Sequence, residues 1–269
     1  MTDSTVASQP SLAALLAVGV VAGLLSGVLG VGGGIIMVPL LTGFLALDQH
    51  RAHAHSLAAI VLIALSAATG FAVAGEIDPA VGLALGLGGI VGSTAGAHLM
   101  HMLSPRALRA VFGLIMIATG VRMFWGGVSE SGADADLGTI AGLAIAVGIG
   151  LVAGVASGIA GIGGGVIMVP AMVFLLGMDQ QLAEGTSLMA ILFTAVAGTR
   201  VNLHKGWVDL RQATLIGLGG VISALVGVRF ALGLSSETLT RVFGVFVALV
   251  GLRMIMNLVH EPRRVPESP

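Results

Sequence analysis

Long apolar runs alternate with short polar breaks along the whole chain. The runs fall at about 12–29, 35–47, 53–74, 79–102 and 106–125, and again at about 138–160, 166–178, 184–203, 210–233 and 237–258. Most approach 20 residues, the length at which a helix crosses a hydrocarbon core of ~30 Å. They lack the roughly ten-residue alternation of an outer-membrane barrel. Turn signals separate them, as in Gly75-Glu-Ile-Asp-Pro79, Leu103-Ser-Pro105 and Gly206-Trp-Val-Asp209. The pattern predicts an all-α, polytopic membrane protein. Segments 35–47 and 166–178 are too short to span, at ~20 Å each.

The runs also repeat. Gly23-Leu-Leu-Ser-Gly-Val-Leu-Gly-Val-Gly-Gly-Gly-Ile-Ile-Met-Val-Pro39 matches 154–170 at 11 of 17 positions, with apolar exchanges at the rest. The offset of 131 then holds without a gap: Asp48 meets Asp179, Ser56-Leu57 meets Ser187-Leu188, Asp78 meets Asp209, and Arg122-Met123 meets Arg253-Met254. A constant register over such a distance is the mark of a duplicated unit. The expected organisation is a tail at 1–11, a membrane repeat at 12–125, a periplasmic linker at 126–137, a second repeat at 138–258 and a cytoplasmic tail at 259–269.

Basic residues choose between two topologies. If the first two segments of each half make one interrupted crossing, the repeats are parallel and the 12 basic residues divide seven to five between the faces. If they make a hairpin that enters and leaves on one side, the repeats are inverted. Arg51, Arg106, Arg109, Arg200, Lys205, Arg211, Arg253, Arg263 and Arg264 then share a face, and Arg122, Arg229 and Arg241 take the other. That asymmetry fits the positive-inside rule. The expected fold is two inverted-topology repeats, each a Gly-tipped helical hairpin plus three transmembrane helices, with both termini cytoplasmic.

Composition narrows the function. Charged residues make up only 9% of the chain and mean hydropathy is +1.05, against roughly 25% charge in soluble domains. The net charge of −1 and the lack of a basic cluster argue against a nucleic-acid partner. There is no cysteine, hence no disulfide, thiolate nucleophile or Cys-ligated metal. Arg51 is the first basic residue, so no charged n-region precedes Leu12–Val21, which reads as a span and not a signal peptide. No metal or cofactor motif stands out, and the Walker pattern that would bind ATP is missing.

The glycine runs carry the candidate chemistry. Gly30-Val-Gly-Gly-Gly34 and Gly161-Ile-Gly-Gly-Gly165 interrupt apolar helices, and broken backbone at membrane depth belongs where protein or a wet cavity meets it. In an inverted repeat the two tips meet near the midplane. The helices that follow then aim unpaired amides and a partial positive charge at one place, and glycine lets a ligand reach those amides. Gly32, Gly33, Gly34, Gly163, Gly164 and Gly165 are therefore candidate anion-binding residues. Pro39 and Pro170 either begin the short helices or kink them and free a carbonyl. The spaced glycines Gly19-Gly23-Gly27 and their copy Gly150-Gly154-Gly158 read as helix-packing ladders, and they make a homodimer plausible.

Ionisable and hydroxyl groups inside apolar segments add candidates. Ser56, Thr186 and Ser187 are either caps or ligand hydroxyls. His53, His55 and Glu184 could exchange protons in a coupling role, or could be interfacial side chains in a wet loop. Arg200 and Asn202 are either cytoplasmic anchors or an anion-attracting vestibule.

The doubled Gly-x-x-Ser-Gly-x-x-Gly-x-Gly-Gly-Gly-x-Ile-Met-Val-Pro, the Gly-Thr-Ser-Leu at 185–188 and the glycines at 75 and 206 resemble the TauE/SafE sulfite exporter family over about 12–257. The resemblance implies a permease of the bacterial inner membrane for sulfite, sulfoacetate or other organosulfonates, with the glycine tips as substrate site. The first half departs from it, reading His-Ala-His-Ser-Leu where the second reads Glu-Gly-Thr-Ser-Leu. The expected function is a secondary exporter of a small oxyanion, with proton or sodium as coupling ion. A carrier or channel for carboxylates is the nearest rival, and an intramembrane enzyme or a non-transporting scaffold is more remote.

Overall fold

The computed structural model describes residues 11–45, 47–99, 105–126, 139–160 and 164–260. Most of the expected tails, nearly all of the expected linker and Gly163 lie outside them. The described residues form ten helices and no strand: Leu12–Leu29 (α1), Gly34–Phe44 (α2), Gln49–Val73 (α3), Pro79–Leu99 (α4), Pro105–Gly126 (α5), Ile140–Ala160 (α6), Gly165–Leu175 (α7), Gln180–His204 (α8), Leu210–Gly233 (α9) and Ser236–His260 (α10). Six are long and apolar enough to cross a membrane, namely α1, α3, α6, α8, α9 and α10. Their outer faces carry bare apolar side chains such as Val73, Ile140, Ile222 and Phe230, which lipid tolerates and water does not.

Local chemistry sets the helix starts. Asp48, Asp78 and Asp209 each precede a helix and accept hydrogen bonds from two amides of its first turn, at 2.9–3.2 Å. Those amides have no partner within the helix, so the carboxylates satisfy them and complement the dipole. Gly75 and Gly206, at φ 81° and 67°, let the chain turn sharply after α3 and α8.

Packing interleaves the two halves. α1 lies on α9 of the other repeat, and α6 lies on α4. The glycine ladders make these contacts: a Cβ on Gly19, Gly23 or Gly27 would land on the carbonyl of Ile216, Gly220 or Ala224, and one on Gly150 or Gly154 on that of Leu85 or Gly89. Without side chains between them the backbones touch, which is how helices associate when lipid removes the hydrophobic drive. The chain's own helices thus cover both ladders.

These contacts also give directions. Gly19, Gly23 and Gly27 step forward along α9, Gly70 lies by Val228 where Ile63 lies by Gly220, and Ser66 donates to the Val221 carbonyl at 2.8 Å. Hence α1, α3 and α9 run the same way. Gly82 and Gly86 step along Met189 and Phe193, and Gly88 and Gly92 along Val147 and Leu151, so α4, α6 and α8 also share a direction. Between the sets the direction reverses, because Gly198 meets Leu57 while Gly185 meets Phe71. α5 and α10 are antiparallel, with Gly120 at Gly244 and Gly113 at Ile255.

Candidate functional site

Between parallel α1 and α3 the chain must come back, and the glycines let it. Gly30 ends α1 at φ 64°, and Gly32 and Gly33 follow at φ 75° and 73°. Side chains disfavour this region, so the run reverses the chain and lays Gly33 against Ala22. In the second half Gly164 takes an ordinary helical φ of −64° before α7.

The half-length helices start deep inside the protein. The Ile36 and Met37 amides both reach the Gly33 carbonyl, at 3.2 and 3.0 Å. The amides of Gly34 and Ile35 therefore have no acceptor within α2. In α7 the Ile167 and Met168 amides reach the Gly164 carbonyl at 3.1 and 2.9 Å, so those of Gly165 and Val166 have no acceptor within α7. Pro39 and Pro170 lie inside their helices, so each frees the carbonyl four residues back, Ile35 or Val166.

The two tips abut. A Cβ on Gly165 would come 2.8 Å from Val31 Cα and 3.1 Å from the Gly30 oxygen. One on Gly34 would lie 3.0 Å from Ile60 Cδ1 and 3.5 Å from Ser56 Oγ, and one on Gly32 2.9 Å from Ile191 Cγ2. Gly32, Gly33, Gly34, Gly165, Ser56 and Ser187 are all buried here, around Ile60 and Ile191. These isoleucines, 131 positions apart, hold equivalent places in the two repeats.

The hydroxyls divide. Ser187 donates to the Gly30 carbonyl and lies 3.1 Å from that of Glu184, strapping the first tip to α8. Thr186 turns away from the tips and accepts from the Asp78 amide at 3.0 Å, holding the turn before α4. His55 does the same in the other half. Its Nε2 accepts from the Asp209 amide at 3.2 Å while Nδ1 faces the Arg51 carbonyl at 2.7 Å. With Nε2 accepting, Nδ1 is left to donate to that carbonyl. His55 and Thr186 are repeat equivalents, so the point where the halves depart from each other conceals one shared bond.

Glu184 is fully buried beside Gly30 and accepts from Gln180 Nε2 at 2.8 Å. Its counterpart His53 is half-buried on α3. Arg200 is exposed and Asn202 half-buried at the far end of α8, ~20 Å along the axis from Ser187. They stand with Lys205, whose ammonium lies 4.8 Å over the Trp207 ring, and outside the tip cluster. A groove of about 300 Å³ between α5 and α10, lined by Phe124, Trp125, Leu249 and other apolar residues, is separate from the tips. Sequence reasoning passed over Gln180, Ile60 and Ile191. Only Gln180 left a signal, one helical turn before Glu184.

The family description "Sulfite exporter TauE/SafE" matches residues 2–123 and 146–269. The chain belongs to the TauE/SafE family. It is similar to the probable membrane transporter proteins YunE and YdhB of Bacillus subtilis (strain 168), with 25% identity over 85% of this chain and 92% of YunE, and 28% over 77% of this chain and 85% of YdhB. A probable membrane transporter protein of Xylella fastidiosa (strain 9a5c) is 29% identical over 82% of this chain and 87% of its own. No solved structure gives a significant match. This TauE/SafE protein is thus a multi-pass membrane transporter.

Proposed function

We propose that this TauE/SafE protein is a secondary transporter that exports a small sulfur-containing oxyanion, such as sulfite or an organosulfonate, across the bacterial inner membrane. The observation that carries this reading is the convergence of the N-terminal ends of α2 and α7 on one buried level. The amides of Gly34, Ile35, Gly165 and Val166, which have no acceptor within their own helices, lie at that level. Two positive dipole ends face it as well, so it favours an anion without a buried Lys or Arg. The helix directions support an inverted repeat: α1, α3 and α9 oppose α6, α8 and α4, their equivalents. Such halves can rock about a shared central site. With the nine-residue basic face inside, both termini are cytoplasmic.

Proteoliposomes loaded with labelled sulfite, taurine, sulfoacetate or a carboxylate test the substrate class. Sulfite or a sulfonate should exchange, and exchange of carboxylates alone would refute the assignment. Gly34→Ala tests the site, because its methyl meets only the yielding ends of Ile60 and Ser56 and so spares the fold. Saturating sulfite at 100 Kd should stabilise the wild type by about 2.7 kcal/mol, or ~5–11 °C in Tm. Gly34→Ala should lose most of that rise. An unchanged rise would move the site away from the tips.

A further inference from the structure

Building on the transport reading above, we infer that Glu184 is the proton site through which anion movement is coupled to a pH gradient. Its side chain is 0% exposed, set in the second turn of α8 against Gly30 at the first tip. Gln180 holds Oε1, and Oε2 has no partner. An enclosed carboxyl without a counter-ion is neutral while the protein is closed around it, and it ionises only when water reaches it.

No described cation pairs with it. The first tip brings no titratable group, and α7 brings none. The turn between α3 and α4 brings Glu76 and Asp78, and the Asp78 carboxylate is engaged with the Ala80 and Val81 amides at 3.0 Å. α10 brings Glu237, paired with Arg241 at the surface. His50, Arg51, His53 and His55 stand at the far end of α3, and His98 at the far end of α4.

Gln180 suits either state of the carboxyl. Its amide donates to a carboxylate through Nε2 and, turned over, accepts from the acid through Oε1. A sodium ion fits less well. The other unpartnered buried oxygens nearby are Gln180 Oε1 and Ser26 Oγ. Ser26 lies one turn back along α1 from Gly30, and Gln180 one turn back along α8 from Glu184. α1 and α8 are antiparallel, so the two oxygens diverge by ~12 Å, whereas the oxygen ligands of one hard cation lie within about 2.6 Å of it. His55 is also unsuited, since both its nitrogens are engaged.

Coupling follows from position. Ser187 joins the Gly30 carbonyl to α8 one turn from Glu184, so the neutral acid lets the first tip stay seated. The carboxylate demands water and favours a lifted tip. One proton binds Glu184 from the face where it is wet and leaves at the other, and only that O–H bond forms and breaks.

The experiment uses the full chain in proteoliposomes with the membrane potential clamped by potassium and valinomycin. Labelled sulfite is measured in exchange at equal pH and in accumulation under a gradient of one pH unit. The wild type should exchange, and should accumulate sulfite about tenfold per pH unit for one proton per anion. E184Q should exchange, but its accumulation should fall to the part that titration of sulfite itself supplies, which is common to both proteins. Accumulation by E184Q at the wild-type level overturns the assignment. Should E184Q not fold, Gln180→Met keeps the carboxyl and removes its partner. It should move the pH midpoint of sulfite accumulation by about one unit, and an unmoved midpoint overturns the assignment too. Failure of the wild type to exchange any anion would fell the transport reading itself, which is a separate result.

Discussion

Thr186→Val separates a structural hydroxyl from a ligand hydroxyl. The side chain keeps its shape and loses one acceptor. That acceptor serves the half-buried Asp78 amide, 3.0 Å away at the head of α4. Loss of a net hydrogen bond costs about 1 kcal/mol, and leaving a buried donor unpaired costs up to about 3 kcal/mol. For a chain of this size each kcal/mol lowers Tm by about 2–4 °C. Thr186→Val should therefore melt ~2–12 °C below the wild type in a scanning-fluorimetry assay in matched detergent and lipid. Thr186→Ser restores the acceptor and should restore Tm, and the KM for sulfite should stay within about twofold throughout. His55→Phe removes the equivalent acceptor from the Asp209 amide. The two sites lie near opposite ends of the antiparallel α3 and α8, ~20 Å apart. Their losses should add within about 0.5 kcal/mol. If Thr186→Val keeps the wild-type Tm and raises KM, the hydroxyl serves the substrate and the clasp is wrong.

Two further outcomes test the architecture. Ala74 and Lys205 are exposed repeat equivalents after α3 and α8, and the cysteine-free chain lets Ala74→Cys and Lys205→Cys be read without background. A membrane-impermeant maleimide should label them from opposite faces, and labelling from the same face would refute the inverted repeat. Gly23→Ala would bring a methyl to 2.6 Å from Gly220 Cα and onto its carbonyl. It should lower Tm by several degrees as α1 and α9 are forced apart, while Gly148→Ala, which meets nothing within 4 Å, should leave Tm unchanged.

Element positions were legible in the sequence because bilayer thickness converts directly into run length. Segment 12–29 is α1 and 210–233 is α9, each to the residue. The other helix ends moved by up to four residues. α3 begins at Gln49 and not 53 because Asp48 caps a polar first turn carrying His50 and Arg51. The first glycine tip was legible for a similar reason: where the backbone reverses inside an apolar environment it takes positive φ at Gly30, Gly32 and Gly33, which glycine allows.

Partners across the repeats were not legible. Whether Gly23 would touch α9 or a second copy of the chain depends on how the halves interleave, and a ladder of small residues fits any close backbone. The same holds for side chains. His55 and Thr186 differ in size and chemistry, yet each accepts the amide of an Asp in the opposite repeat. Side-chain likeness along the chain could not show that equivalence, because the bond is set by an acceptor's place in space. Glu184 and Gln180 showed their spacing in the sequence. Only the packing of Gly30 against Glu184 decided that the carboxyl would be enclosed with one oxygen unpaired, since burial is a property of what closes over a group and not of the group itself.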